Sequence, residues 1–179
     1  LKNINMQVEN LYADSAIRTR SGIYFNIISP TIDMINIDDI AHALSHQCRF
    51  SGHINKFYSV AEHSINCAKF VTKENKLSAL LHDASEAYLV DIPSPIKPHL
   101  TNYKTIEDSV MDLISKKYSF EYPLNEEIKY IDRFFLEKEW NILMLGLEDE
   151  IELSCYSPEQ AKQNFIKMFN LLVNGYETY

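Results

Sequence analysis

Hydrophobic residues in this chain recur mostly at helical spacing. After Asn36, an N-cap candidate with Asp38 and Asp39 in the first turn, Ile37, Ile40, Ala41 and Leu44 fall at i, i+3, i+4 and i+7. Ser59-Val-Ala-Glu62 reads as a capping box opening a second helix, whose apolar positions include Val60, Cys67, Ala68 and Val71. A third helix follows Asn75, with Leu77, Leu80, Leu81 and Ala84 on its core face and His82, Asp83 and Glu86 on its flank. Val90 to Pro98 holds three prolines in six residues and reads as an ordered loop. A fourth helix spans about 102-118, and a fifth begins at Asn125 and runs past Trp140 with Ile128, Ile131 and Phe135 inward. The last opens at Ser157, with Pro158 at its first position and an apolar stripe of Ala161, Phe165, Met168, Phe169 and Leu172. Ahead of these helices, Ser21-Gly22 followed by β-formers up to Pro30 predicts a short hairpin. Residues 1-20 carry no strong period. The pattern therefore predicts an all-α bundle of about six helices with a short N-terminal β-hairpin.

Composition agrees with that class and narrows the partners. The chain has 179 residues, 46% of them hydrophobic and 23% charged, with four glycines and six prolines, few for a fold built on tight turns. This length suits a single domain over 1-179, with its core at about 20-170. A net charge of -8 argues against binding a nucleic-acid backbone, but leaves room for a small phosphorylated ligand held by a local cation. Three scattered cysteines form no disulfide framework, and Cys67 reads as a small core residue. No apolar run approaches 18 residues and no signal-peptide pattern is present, so no membrane partner and a cytoplasmic location are expected.

Four residues carry the chemistry that spacing suggests. His63, His82, Asp83 and Asp132 make a mixed nitrogen and oxygen donor set suited to a first-row divalent ion. Adjacent helical residues point about 100° apart, so His82 and Asp83 share an ion only in the wedge between them. Glu86 lies one turn further on, placed to manage a proton. Glu139 is i+7 from Asp132, on the same face, where it is placed to hydrogen-bond a ligand or a basic residue. Each residue alone has an ordinary alternative: His63 as cap chemistry, Asp132 as a partner of Arg133. Trp140, Tyr88 and the aromatics at 24-25 are equally core residues or stacking surfaces for a base.

The order His, His-Asp, then a distant helical Asp resembles the HD-domain phosphohydrolase superfamily. Tyr58-Ser-Val-Ala-Glu-His-Ser64, Leu80-Leu-His-Asp-Ala-Ser-Glu-Ala-Tyr88 and Asp91-Ile-Pro-Ser-Pro-Ile-Lys97 resemble segments of its bacterial 5'-deoxynucleotidases. Asp38-Asp-Ile-Ala-His-Ala-Leu-Ser45, Cys48-Arg-Phe-Ser-Gly-His53 and Phe57-Tyr-Ser-Val-Ala-Glu-His63 are similar to compact HD hydrolases of phages and prophages, some of them dATP-directed triphosphohydrolases.

The resemblance implies a metal-dependent hydrolase of deoxynucleotides, in which water activated at the ion attacks phosphorus. It assigns His63, His82, Asp83 and Asp132 to the metal and Glu86 to acid/base work. It places Arg49 and Lys97 on phosphate and Asp91 near the sugar, with His53 and Lys56 in the same cleft-forming stretch. Lys97 as a solvated side chain, His53 as a loop hydrogen-bonder and Arg49 as an ordinary ion pair remain the alternatives. A Mn, Co, Zn or similar ion is implied, with Mg accompanying the substrate. So is a homo-oligomer, dimer or hexamer, in the cytoplasm (the host's, if the chain is phage-encoded). The rival reading is a non-catalytic, regulatory nucleotide-binding module on the same fold.

Overall fold

Local chemistry sets most helix starts. The structure, a computed structural model, describes residues 15–175, so the unpatterned opening stretch and the last four residues of the expected domain lie outside the described residues. A hairpin comes first: β1 (Ala16–Arg18) pairs antiparallel with β2 (Tyr24–Asn26), Ile17 opposite Phe25. Gly22 turns the chain at φ +91°, a conformation that glycine adopts without Cβ strain. The hairpin is pinned to the next element because Ser21 donates to Asp39 through both its backbone N–H (2.8 Å) and its hydroxyl (2.6 Å).

Among the described residues seven α-helices follow, and the chain is mostly helical. Asn36 caps α1 (Ile37–His46), Asn125 caps α6 (Glu126–Glu139), and Ser157 with Gln160 closes a full capping box on α7 (Pro158–Asn174). Between them stand α2 (Val60–Lys69), α3 (Lys76–Leu80), α4 (Glu86–Leu89) and α5 (Tyr103–Tyr118). The fifth predicted helix does run past Trp140, but through a wider π-helical turn, Trp140–Met144. No helix among the described residues is long and apolar enough to cross a membrane.

Two local expectations change. The third predicted helix is broken: α-type bonding ends with Leu81 N–H to Leu77, and tighter bonds such as Ala84 N–H to Leu81 and Glu86 N–H to Asp83 carry the chain into α4. Six helices become seven, and His82 and Asp83 stand on a turn rather than a helical flank. Leu80 and Leu81 and Ala84 through Glu86 are all buried, so burial here favours no single helical face and periodicity does not register the break.

The capping box on α2 is only half made. Ser59 accepts from Glu62 N–H, but the Glu62 carboxylate reaches across the molecule to the backbone N–H groups of Cys155 (2.9 Å) and Tyr156 (2.8 Å).

Helix α2 is the centre of the fold. Every residue from Val60 to Ala68 is buried, with α1, α3, α6 and α7 packed around it. A helix buried all round is usually apolar. This one carries Glu62, His63, Ser64 and Asn66, and each must find a partner to offset its lost hydration. Glu62 takes the segment before α7, Ser64 donates to Val60 O (3.0 Å), and Asn66 donates to the Tyr58 hydroxyl (3.0 Å).

Glu62→Ala should therefore cost about 2–3 kcal/mol, the loss of charge-assisted bonds to two backbone donors. Hydrogen exchange should quicken at the Cys155 and Tyr156 amides while α2 itself stays protected. Unchanged exchange there would mean that the segment is held by other contacts.

Candidate metal centre

His63 sits on the fourth residue of α2 and is wholly buried. Its Nδ1 lies 2.7 Å from Glu139 Oε1, at the end of α6. A carboxylate oxygen only accepts, so Nδ1 carries the proton and Nε2 faces the other way. There Asp132 Oδ1 stands at 3.1 Å and Asp83 Oδ2 at 3.8 Å. His82 is fixed in the same manner: its Nδ1 donates to Ala79 O (2.8 Å), turning Nε2 toward Asp83 Oδ2 (3.2 Å) and Asp132 Oδ1 (3.7 Å). Nε2 of His82 is buried without a hydrogen-bond partner.

All four donors expected from the sequence thus converge. The wedge between two helical directions is not needed, because the turn that replaces the helix at His82-Asp83 lets both side chains meet. The imidazoles form a closed back wall, while the Asp83 and Asp132 side chains are 20% and 45% exposed, so the cluster opens on its carboxylate side.

Two Nε2 atoms facing two carboxylates call for positive charge between them, either protons on the rings or a cation. The two carboxylates draw protons toward the rings. Burial and Arg49 work against charge on His63, but Cys67, Glu139 and Asp132 outweigh them and raise its pKa well above 6.5. Burial also opposes charge on His82, and Asp83 with Asp132 overcomes it. Conversely, despite burial, His82 holds Asp83 down at about 2. Asp132, against its partial burial, is held well below the carboxylate range by the hydrogen bond from His63 and by the positive charge of both histidines. A cation replacing those protons fits the orphaned His82 nitrogen and the fixed tautomers.

Sequence reasoning took Cys67 only as core. It is buried one turn after His63, and donor atoms of His63, Cys67 and His82 all lie within 4.8 Å of one another, a cluster able to hold a metal ion. The spacing His63-x3-Cys67 was the available signal. Glu139, marked in the sequence by its register with Asp132, proves to be the partner of His63 and of Arg49 Nε (2.8 Å).

The remaining expected residues divide. Arg49 is buried on the loop between α1 and α2, with NH1 3.9 Å from Asp83 Oδ2, so it borders the cluster and is also the ion-pair partner of Glu139. Glu86 opens α4 with one oxygen, Oε2, buried and unpartnered. Burial, then the charges of Asp83 and Asp91, push its pKa well above the ordinary range. Asp91 follows close behind, its backbone N–H bonded to Gln47 Oε1 (2.8 Å), and burial raises its pKa. Lys97 is not simply solvated: its Nζ lies 3.1 Å from Glu107 Oε1 and 3.5 Å from Glu86 Oε1. His53 and Lys56 stand exposed and make no hydrogen bond or ion pair with the cluster.

Of the aromatics, Tyr88 belongs to the core, stacked on Phe25 at 3.8 Å between centroids. Trp140 is exposed and meets Phe50 edge-on at 5.9 Å, beside Arg49.

Glu139 offers a pH test. Burial opposes its charge, but Arg49 and His63 hold its pKa below 4.5. A lowered folded pKa contributes stability that is complete above 4.5 and is lost as pH falls through the folded value. Glu139→Gln should cost about 3–5 kcal/mol at neutral pH, because Arg49 is left without its buried partner. The gap from wild type should narrow below pH 4.5 in urea denaturation, and a gap independent of pH would assign the cost to packing instead.

The chain is 42% identical to the uncharacterized protein YfdR of Escherichia coli (strain K12) over 135 residues, spanning 75% of each chain. An uncharacterized protein of Rhodobacter capsulatus is 30% identical over 168 residues, covering 88% of this chain and 83% of the relative. No family model matches the chain. With that identity sustained over three quarters of both sequences, the chain belongs to the family that includes YfdR.

Proposed function

We propose that the protein is a metal-dependent phosphohydrolase of the HD-domain type, acting on nucleotides. One observation carries this reading. The Nε2 atoms of His63 and His82 share a pair of carboxylate oxygens, from Asp83 and Asp132, at 3.1 to 3.8 Å, and the other ring nitrogens are already committed. Imidazole and carboxylate donors at these spacings suit Mn, Co, Zn or a similar divalent ion. Bound there, such an ion polarises a phosphoryl oxygen and favours ionisation of a water.

The surrounding side chains divide the remaining work. Glu86, kept protonated beyond the ordinary carboxylate range by burial and by Asp83 and Asp91, gives a proton to the leaving oxygen or takes one from water. Lys97 holds Glu86 in place from one side. The terminal nitrogens of Arg49 border the open face and meet phosphate oxygens, while its Nε remains on Glu139. Asp91 tests the sugar, and the exposed Trp140 edge is available to the base. Two substrate versions follow: a monophosphate losing orthophosphate, or a triphosphate losing tripolyphosphate. The rival, a nucleotide-binding module without turnover, keeps the donor set but releases nothing.

Metal-loaded protein incubated with mono-, di- and triphosphates of each deoxynucleoside should release phosphate, and the species released identifies the version. His82→Ala should lose metal and activity together. Glu86→Gln should keep its metal and lose about 10²- to 10⁴-fold in rate. Protein that binds none of Mn, Co or Zn, and stays inactive in their presence, would sink the proposal. Full activity in Glu86→Gln would remove Glu86 from the mechanism.

A further inference from the structure

A chain of hydrogen bonds runs behind the cluster, and the proposed function makes no use of it. Lys69, exposed at the end of α2, donates to Asn66 Oδ1 (3.1 Å). Asn66 Nδ2 donates to the Tyr58 hydroxyl (3.0 Å), and that hydroxyl donates to Glu139 Oε1 (2.9 Å). The same carboxylate oxygen accepts from His63 Nδ1 at 2.7 Å. Donor chemistry settles the direction of every bond. A lysine ammonium only donates, so Asn66 turns its oxygen to Lys69 and its amide to Tyr58. The Tyr58 oxygen accepts there, and its own proton goes to Glu139. Tyr58 is wholly buried, so bulk water does not compete for that proton.

We infer that Tyr58 is a positioning residue that moderates the affinity of the centre for a divalent ion, by drawing the Glu139 carboxylate partly away from His63. The inference rests on the metal-centre reading above and deepens it. A carboxylate holding the N–H of a ligating histidine raises the basicity of the other ring nitrogen. Here two donors share one oxygen, and each bond draws on electron density that the other would use. Asn66 adds to the effect, because a donor on the Tyr58 oxygen polarises its O–H and makes it a stronger donor in turn. Removing the hydroxyl should therefore strengthen the Glu139–His63 bond and tighten metal binding. It should also weaken the fold, since Asn66 Nδ2 loses its acceptor. The two effects have opposite signs. A tyrosine with a merely structural role would lower stability and metal affinity together.

The test uses the full chain, stripped of metal and titrated with zinc against a chromophoric chelator. Tyr58→Phe should bind zinc more tightly than wild type, by up to about tenfold, the lower end of what an outer-shell partner is worth. Its thermal midpoint should fall at the same time. Asn66→Leu, neutral and close in size, should move zinc affinity the same way by less, and carries the same test if Tyr58→Phe does not fold. A second readout needs no metal. In the metal-free protein with ¹⁵N-labelled histidine, the His63 Nδ1 proton should move downfield in Tyr58→Phe as its bond to Glu139 strengthens. Zinc affinity at or below the wild-type value overturns the inference and leaves the metal centre standing. A His63 proton that stays in place shows that the two bonds do not compete, and overturns it as well. Wild type that binds no zinc overturns both the inference and the metal-centre reading.

Discussion

The buried carboxylate of Glu139 connects the parts on which the site depends. It is shut off from solvent and accepts from three donors: Arg49 Nε at 2.8 Å, the Tyr58 hydroxyl at 2.9 Å and His63 Nδ1 at 2.7 Å. An isolated carboxylate in such a place is costly enough that the fold is acceptable only with the partners assembled. Those partners come from the loop before α2 and from α2 itself, while Glu139 ends α6. Packing α6 against α2, seating the Arg49 loop and fixing the His63 tautomer are therefore a single event. The same charge that stabilises the arrangement turns His63 Nε2 toward Asp132.

A second set of contacts does the same for the other half of the cluster. Gln47 ends α1 and donates to Glu86 O (2.9 Å) while accepting from Asp91 N–H (2.8 Å), tying the His82-Asp83 turn to the segment that carries Arg49. Nearby backbone is strained. Phe50 and Ser51 are left-handed at φ 54° and 53°, and Val90, a β-branched residue, lies at φ 70°. Such conformations persist only where surrounding contacts over-determine them, and they gather where side chains must be aimed. Here they flank Arg49 on one side and Asp91 on the other. His63 stands on the buried helix α2 and His82 on a buried turn, while Arg49 and Asp91 stand on loops.

Charge is arranged on the same plan. The chain is acidic overall at -8, yet the two cations nearest the open face, Arg49 and Lys97, are each already paired with carboxylates. An anionic ligand has to share those cations with Glu139, Glu86 and Glu107. Under the proposed function, a divalent ion among Asp83, Asp132 and the two imidazoles would change that balance and link metal occupancy to phosphate binding without any moving part.

Much of the helix pattern was legible because caps are local chemistry. Asn36, Asn125 and Ser157 start their helices by bonding an N–H two or three residues on, and the Ser21-Gly22 turn closes a hairpin within a few residues. The four donors were legible as a set, through residue type and order. Their convergence was not, since His63 meets Asp132 across 69 positions and Glu139 across 76. Packing also decided that Glu62 leaves its own helix for a segment 93 residues away, and that the His82-Asp83 helix breaks into a turn. It moved Cys67 from core filler to the edge of the donor cluster, and put Tyr88 into a stack with Phe25. Periodicity reports which face of a helix is apolar and what the nearest neighbours can bond. It carries no information about where a buried polar group finds its distant partner, and in this protein those partners make the site.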